Sequence, residues 1–231
     1  MRRVDSGRGV GRVSSGVHGV LAAPIALCVC IGVAGCTGSL FRSKVVPPAI
    51  YRLSANLGAN LGTAAAAVPA DLAVLRPRIH TGLETDRIAV LYPDRHLDYL
   101  ADARWSGPLD QVMHDLAVQA FDTGAHLRNV GADSSAFASG YWVEIDVADF
   151  QAEYSALGSP PTIHVHMSAR LGRVADRRIL ERFDASARET ASANRLAAIV
   201  DAYERAADAA LAQIVAGTSR TLADALDLEH R

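Results

Sequence analysis

Two stretches of apolar–polar alternation commit this chain to a fold built on a half-buried β-sheet. Tyr141, Val143, Ile145 and Val147 recur at every second position through Tyr141–Asp149. Further on, Ile163, Val165, Met167, Ala169 and Leu171 face one way while His164, His166, Ser168 and Arg170 face the other. A period of two puts the two sets on opposite faces of a strand, and a helix cannot gather such a pattern onto one side. His96–Trp105 alternates as well, with Leu97, Tyr99, Ala101, Ala103 and Trp105 against a mostly polar even set. Ile50–Leu53 reads as a short first strand, Arg87–Tyr92 as one stopped by Pro93-Asp94, and Leu72–Ile79 as an edge strand, because Pro77 has no N–H to give a ladder. Gly172–Arg177 is a hairpin turn into a last strand, Arg178–Ala187.

Two segments switch to helical spacing. After Gly107-Pro108, Leu109, Val112, Met113, Leu116, Ala120 and Phe121 recur at three and four, and Gly124 ends the run. Residues 194–216 carry Leu196, Ile199, Val200, Tyr203, Ala207, Leu211 and Ile214, with Gly217 as C-cap. The expected fold is α+β: a two-layer sandwich of one antiparallel-rich mixed sheet with two amphipathic helices packed on one face. The domain is expected over residues 49–217, with 218–231 as a C-terminal tail. Residues 54–70 hold a tandem Ala-Asn-Leu-Gly and an alanine run, and read as a low-complexity loop. Trp105 and Trp142 read as core aromatics.

The N-terminus has a different character. Arg2, Arg3, Arg8 and Arg12 stand against Asp5 alone, and Val20–Ala34 follows without a charge. That run is of signal-peptide length and shorter than the ~20 residues a spanning helix needs. It closes on Val33-Ala34-Gly35-Cys36, which resembles a bacterial lipobox. Cleavage before Cys36 would remove residues 1–35 as a signal peptide and leave 36–48 as a lipidated tether ending in Pro47-Pro48. Cys28 and Cys30 would leave with the signal, so Cys36, the lipid acceptor, is the one cysteine of the expected mature chain. More than one acyl chain suffices for stable membrane attachment. Thr37 is not the Asp of inner-membrane retention, so the expected location is the periplasmic face of the outer membrane.

Composition narrows the function. Apolar residues are 50% and charged residues 21%, which excludes a disordered chain. The net charge is −2, and the leader holds four of the 23 basic residues and one of the 25 acidic ones, so the mature part is acidic and nucleic-acid binding is excluded. His164 and His166 share a strand face, as metal ligands require, but two ligands leave a site incomplete and neither Cys nor a further His lies nearby. They are weak metal candidates beside the reading of a solvated strand face. Asp98 and Asp102 are too far apart along a strand for paired-carboxylate chemistry, although Asp102 could pair with Arg104. Neither a nucleophile elbow, a phosphate loop nor a zinc-protease motif is present. No catalytic residues, metal or cofactor are expected.

The pattern of Tyr51-x-Leu53 after the tether, the Arg87-Ile-Ala-Val90 strand, and Leu97-x-Tyr99-x-x-x-x-Arg104-Trp105-x-x-Pro108-Leu109 entering a helix resembles the ABC-type transport auxiliary lipoprotein family, which includes the paraquat-inducible protein C type. The resemblance covers about 49–215, and Ser106-Gly107 and the 54–70 insertion depart from it. It implies a non-enzymatic lipoprotein accessory to an MCE/ABC-type lipid transport system between inner and outer membranes. Its implied partners are an MCE-domain membrane protein and the ABC permease and ATPase, with a homo-oligomeric ring among its forms. Tyr51, Leu53, Tyr99, Arg104, Trp105 and Pro108 are the motif and partner-contact candidates. Two rivals stand beside this reading: an envelope-assembly lipoprotein serving peptidoglycan or lipopolysaccharide machinery, and a periplasmic hydrolase or metal binder using His164 and His166.

Overall fold

A computed structural model describes residues 47–57, 67–133 and 137–229. The leader, Cys36 and most of the tether lie outside them. In chain order the elements are β1 (Ala49–Tyr51), β2 (Val68–Val74), β3 (Arg78–Ile79), β4 (Arg87–Leu91), β5 (Leu97–Trp105), α1 (Leu109–Gly124), β6 (Leu127–Ala132), β7 (Tyr141–Glu153), β8 (Thr162–Arg173), β9 (Ile179–Thr190) and α2 (Leu196–Glu229).

The two alternating stretches become β7 and β8, antiparallel neighbours in register from Tyr141↔Arg173 to Glu153↔Thr162. β9 continues the sheet beyond β8, also antiparallel. The other edge of β7 is shared end to end by three shorter parallel strands. β2 takes its start (Leu72↔Tyr141), β3 its middle (Arg78↔Asp146) and β4 its end (Val90↔Ala152). Beyond them the mixed sheet forks: β6 lies parallel to β2, while β5 runs antiparallel to β4 and carries β1 parallel on its far side.

Val143, Ile145 and Val147 on β7 are fully buried, as are Ile163, Val165, Met167 and Leu171 on β8. A bulge between Val147 and Asp149 shifts β7 by one residue, so beyond it Phe150 and Ala152 take over the buried face. Helix α1 begins at Pro108, whose ring fixes φ and whose missing N–H costs a helix start nothing. It buries Leu109, Val112, Met113, Leu116, Ala120 and Phe121 against β6, β2 and α2. Helix α2 packs on β8 and β9 through Ile199, Tyr203, Leu211, Ile214 and Val215, with Ala202, Ala206 and Ala210 allowing close approach.

The fold class is the expected α+β, with several differences of detail. Leu72–Ile79 is an edge only in its second part. It is broken into β2, which lies between β7 and β6, and β3, which pairs with β7 alone, where Pro77 interrupts the ladder between Leu75 N–H→Val143 O and His80 N–H→Val147 O. β5 alternates only at its end, where Ala103 and Trp105 are buried while Leu97 and Ala101 are exposed. The cause is a register jump, Arg87↔Arg104 to Ala89↔Tyr99, that leaves extra residues on β5. β6 went unrecognised because its six residues lack a buried alternation. Val68–Ala70, expected in the loop, start β2, and Trp142 is a half-buried residue of the outer face, its ring lying over Gly172.

The largest correction is at the C-terminus. Gly217 does not cap α2, which continues to Glu229, so residues 218–229 are helix and not tail. The glycine serves a close approach: a Cβ there would lie 2.7 Å from the Phe183 ring of β9. Beyond it the apolar stripe continues through Thr218 and Leu222, both fully buried. Leu222→Ala is therefore expected to cost about 2–5 kcal/mol in urea unfolding. Leu228→Ala, at a side chain 74% exposed, is expected to leave the midpoint unchanged.

Candidate functional site

The residues of the Tyr-Arg-Trp-Pro pattern meet around one loop, Gly82–Asp86, which leads from β3 into β4. Tyr99 Oη donates to Gly82 O at 2.7 Å, and the Arg87 guanidinium lies 4.1 Å above the Tyr99 ring. Arg104 reaches Asp86 at 2.9 Å. It does not pair with Asp102. The Arg104 hydrogen bond and charge hold the Asp86 carboxyl below its ordinary range, against a smaller opposing effect of burial. From the backbone, Trp105 N–H donates to Asp86 O (2.7 Å) and Leu109 N–H to Thr85 O (3.1 Å). The second bond satisfies an N–H of the first turn of α1 that has no partner within the helix. The pattern is thus a clamp of Tyr99, Arg104 and Trp105 of β5 and the start of α1 on one loop.

Trp105 also faces the core. Its ring stands edge-on to Tyr203 of α2 at 5.2 Å and to Phe150 of β7 at 6.0 Å, while Phe150 and Tyr203 are 5.1 Å apart. Tyr203 Oη, fully buried, donates to Ala89 O of β4 at 2.6 Å. Three aromatic rings and one hydrogen bond therefore join β4, β5, β7 and α2.

Tyr51 pairs in register with Trp105, and the chain then turns into a strap between the two helices. Leu53 and Leu57 are buried, and the three N–H groups between them find side-chain acceptors. Ser54 N–H donates to Glu204 (2.9 Å), Ala55 N–H to Gln119 (2.8 Å) and Asn56 N–H to both oxygens of Asp208 (3.2 and 3.3 Å). Asp208 is only 7% exposed. Burial pushes its carboxyl above the ordinary range, assisted by Glu204 and opposed by the Asn56 N–H. The low-complexity reading of 54–70 did not reveal this strap; the sequence signal was the pair Leu53 and Leu57 ahead of the alanine run.

On the outer face of the sheet, His164 and His166 turn to different partners. His164 Nδ1 lies 3.1 Å from Glu153, while His166 lies 3.1 Å from Asp184 and 3.6 Å from Asp149. Arg188 reaches Glu153 at 2.7 Å. Burial opposes ionisation of that carboxyl, but the Arg188 hydrogen bond and charge outweigh it and set it below its usual range. Farther along, Arg170 pairs with Glu144, and His80 lies 3.0 Å from Asp146. Together these form a ladder of carboxylate contacts in which Arg188–Glu153 and Arg170–Glu144 are the ion pairs. Among the described residues no group of three or more His, Cys, Asp or Glu is placed to hold a metal ion. Cys36, the expected lipid acceptor, lies outside the described residues.

The model of a family described as ABC-type transport auxiliary lipoprotein component matches residues 51–215. Among solved structures, protein XCC0632 from Xanthomonas campestris, of family-model DUF330, is 24% identical with a TM-score of 0.68, over 78% of this chain and 99% of that one. An uncharacterized protein is 14% identical with a TM-score of 0.54, over the same shares of the two chains. Both are likenesses of fold. No curated protein matches the chain.

The clamp and the strap make separate predictions. Trp105→Ala is expected to cost about 3–5 kcal/mol in chemical denaturation, as loss of a large buried aromatic does. Arg104→Ala is expected to cost under about 1 kcal/mol, since the ion pair with Asp86 is exposed. Asp208→Asn keeps an acceptor for Asn56 and removes a buried charge. A carboxyl whose pKa is raised by folding stabilises the protein below its unfolded pKa, and that stability is lost as pH rises through the folded value. The variant is therefore expected to be at least as stable as the parent at pH 7. Denaturation across a pH series should show the parent gaining on the variant as pH falls toward about 4.

Proposed function

The chain belongs to the ABC-type transport auxiliary lipoprotein component family, and from that premise we propose that it is a non-enzymatic accessory lipoprotein of an MCE/ABC-type lipid transport system. In this reading Cys36 carries the acyl anchor and holds the domain at the periplasmic face of the outer membrane. An MCE-domain membrane protein, with the permease and ATPase of the same system, is its partner, and a homo-oligomeric ring is its working form. The observation that carries the reading is the family match itself, which spans nearly the whole folded domain and not a local motif.

The motif residues divide by exposure. Leu53 and Trp105 are buried, so their contribution to a partner surface is to hold its shape. Arg104 and Pro108 are exposed and Tyr51 and Tyr99 half-buried, and these four are the candidates for direct contact.

Crosslinking the native envelope and purifying the tagged chain tests the proposal. An MCE-domain protein is expected in the complex, and palmitate label is expected on the parent and absent from Cys36→Ala. Recovery of peptidoglycan or lipopolysaccharide machinery without an MCE protein would favour the envelope-assembly alternative and overturn this one.

A further inference from the structure

On the outer face of the sheet the strand register sets two arginines against each other. Arg170 of β8 is opposite Arg182 of β9, and Glu144 of β7 is opposite Arg170, so the three side chains form one row across the strands. Residues directly opposite in an antiparallel pair have Cα atoms about 4.5–5.5 Å apart, and like charges so placed destabilise the pairing. Glu144 offsets Arg170, with which it forms an ion pair. Nothing offsets Arg182. Among the described residues its guanidinium has neither a hydrogen bond nor an ion pair.

The acids nearby are engaged elsewhere. Glu181 Oε1 accepts the Arg182 backbone N–H at 3.0 Å, and Asp184 lies 3.1 Å from His166. Asp146 meets Arg78 at 3.6 Å and His80 at 3.0 Å, while Glu144, besides holding Arg170, lies 3.9 Å from Arg78. Arg78, Glu144, Asp146, Ser168, Arg170 and Arg182 line a recess of about 270 Å³. Its three guanidiniums face two carboxylates, which leaves one positive charge in excess. Arg170 reaches Glu144 through one nitrogen, so most of its N–H donors remain available. Ser168 Oγ, on an exposed residue two positions before Arg170, has no partner among the described residues. Charges on an edge strand such as β9 keep other edges away. That role does not call for a second arginine directly opposite on β8.

We propose that this recess is a phosphate-binding site, in which Arg182 and Arg170 grip the phosphate group and the Ser168 hydroxyl donates a further hydrogen bond. The ligand is inorganic phosphate or the phosphate of a phospholipid headgroup, which present the same kind of oxygens. One guanidinium fork saturates the two oxygens of a carboxylate, whereas a phosphate offers oxygens to two forks and a hydroxyl together. Its negative charge meets the excess at Arg182 and screens the two arginines from each other. The site requires neither the acyl anchor nor the transport partners, so it stands or falls apart from the function proposed above.

Isothermal titration calorimetry tests this on the full-length protein in nonionic detergent, with inorganic phosphate as the probe at neutral pH and constant ionic strength. Saturable binding by the parent is expected. Arg182→Gln removes the unpaired guanidinium and is expected to weaken that binding at least about tenfold, with a melting temperature no lower than the parent's. Arg220→Gln, at an exposed arginine of α2, is expected to bind phosphate as the parent does. Glycerol 3-phosphate and glycerophosphoglycerol separate the two sources: competition by either supports a headgroup, and competition by neither supports free phosphate. The inference is overturned if the parent shows no saturable binding of phosphate or of either ester. It is equally overturned if Arg182→Gln binds as tightly as the parent, if Arg220→Gln loses as much, or if acetate competes as well as phosphate.

Discussion

The backbone of β7 sets the terms for the rest of the molecule. Its thirteen residues lie inside the sheet, so the N–H and C=O groups on both edges need partners within the protein. β8 satisfies one edge along its whole length. No single strand satisfies the other. β2, β3 and β4 divide it among them, and each hands the sheet on in a different direction or stops. The fork in the sheet, the break at Pro77 and the loop Gly82–Asp86 all follow from covering one long edge with short strands.

That division creates a weak point, and the family pattern lies on it. Once β3 ends, the chain must cross to β4 through Gly82–Asp86, a segment outside the sheet ladder with several backbone groups to satisfy. Tyr99, Arg104, the Trp105 N–H and the Leu109 N–H each take one acceptor of that loop or of its side chains. The same Trp105 turns its ring inward against Phe150 and Tyr203, so the residue that fixes the loop also fixes the helix α2 to the sheet. A sequence signature that looks like a binding motif is here largely the means of closing a sheet.

What could be read in advance divides along the same physical line. Period-two alternation is a direct imprint of a strand with one buried face, so β7 and β8 were legible; β9 followed from the turn at Gly172–Arg177, and α1 from its stripe and its opening Pro108. Features set by contacts distant in sequence were not. β6 is a strand because β2 offers it an edge, and its own residues carry no signal. Gly217 looks like a helix terminus from its neighbours alone, and only Phe183, 34 positions earlier on β9, explains why a glycine stands inside the helix. The bulge beyond Val147 hid in plain view: Phe150 and Ala152 resume the apolar alternation one residue out of phase. For the clamp, the residues were readable but their partners were not, since Gly82, Thr85 and Asp86 have no pattern of their own.

The first described residues are tied deeply into this architecture. β1 contributes three register pairs to β5. Behind β1 stand Leu53 and Leu57 in the core and three backbone N–H groups held by Glu204, Gln119 and Asp208. Glu204 and Asp208 belong to α2 and Gln119 to α1, so the strap is held by both helices. The buried Asp208 carries an electrostatic cost, because its charge is drawn out of water to meet a single N–H. That cost is accepted at the point where the chain passes between the two helices, and it fixes β1 and the strap to both of them.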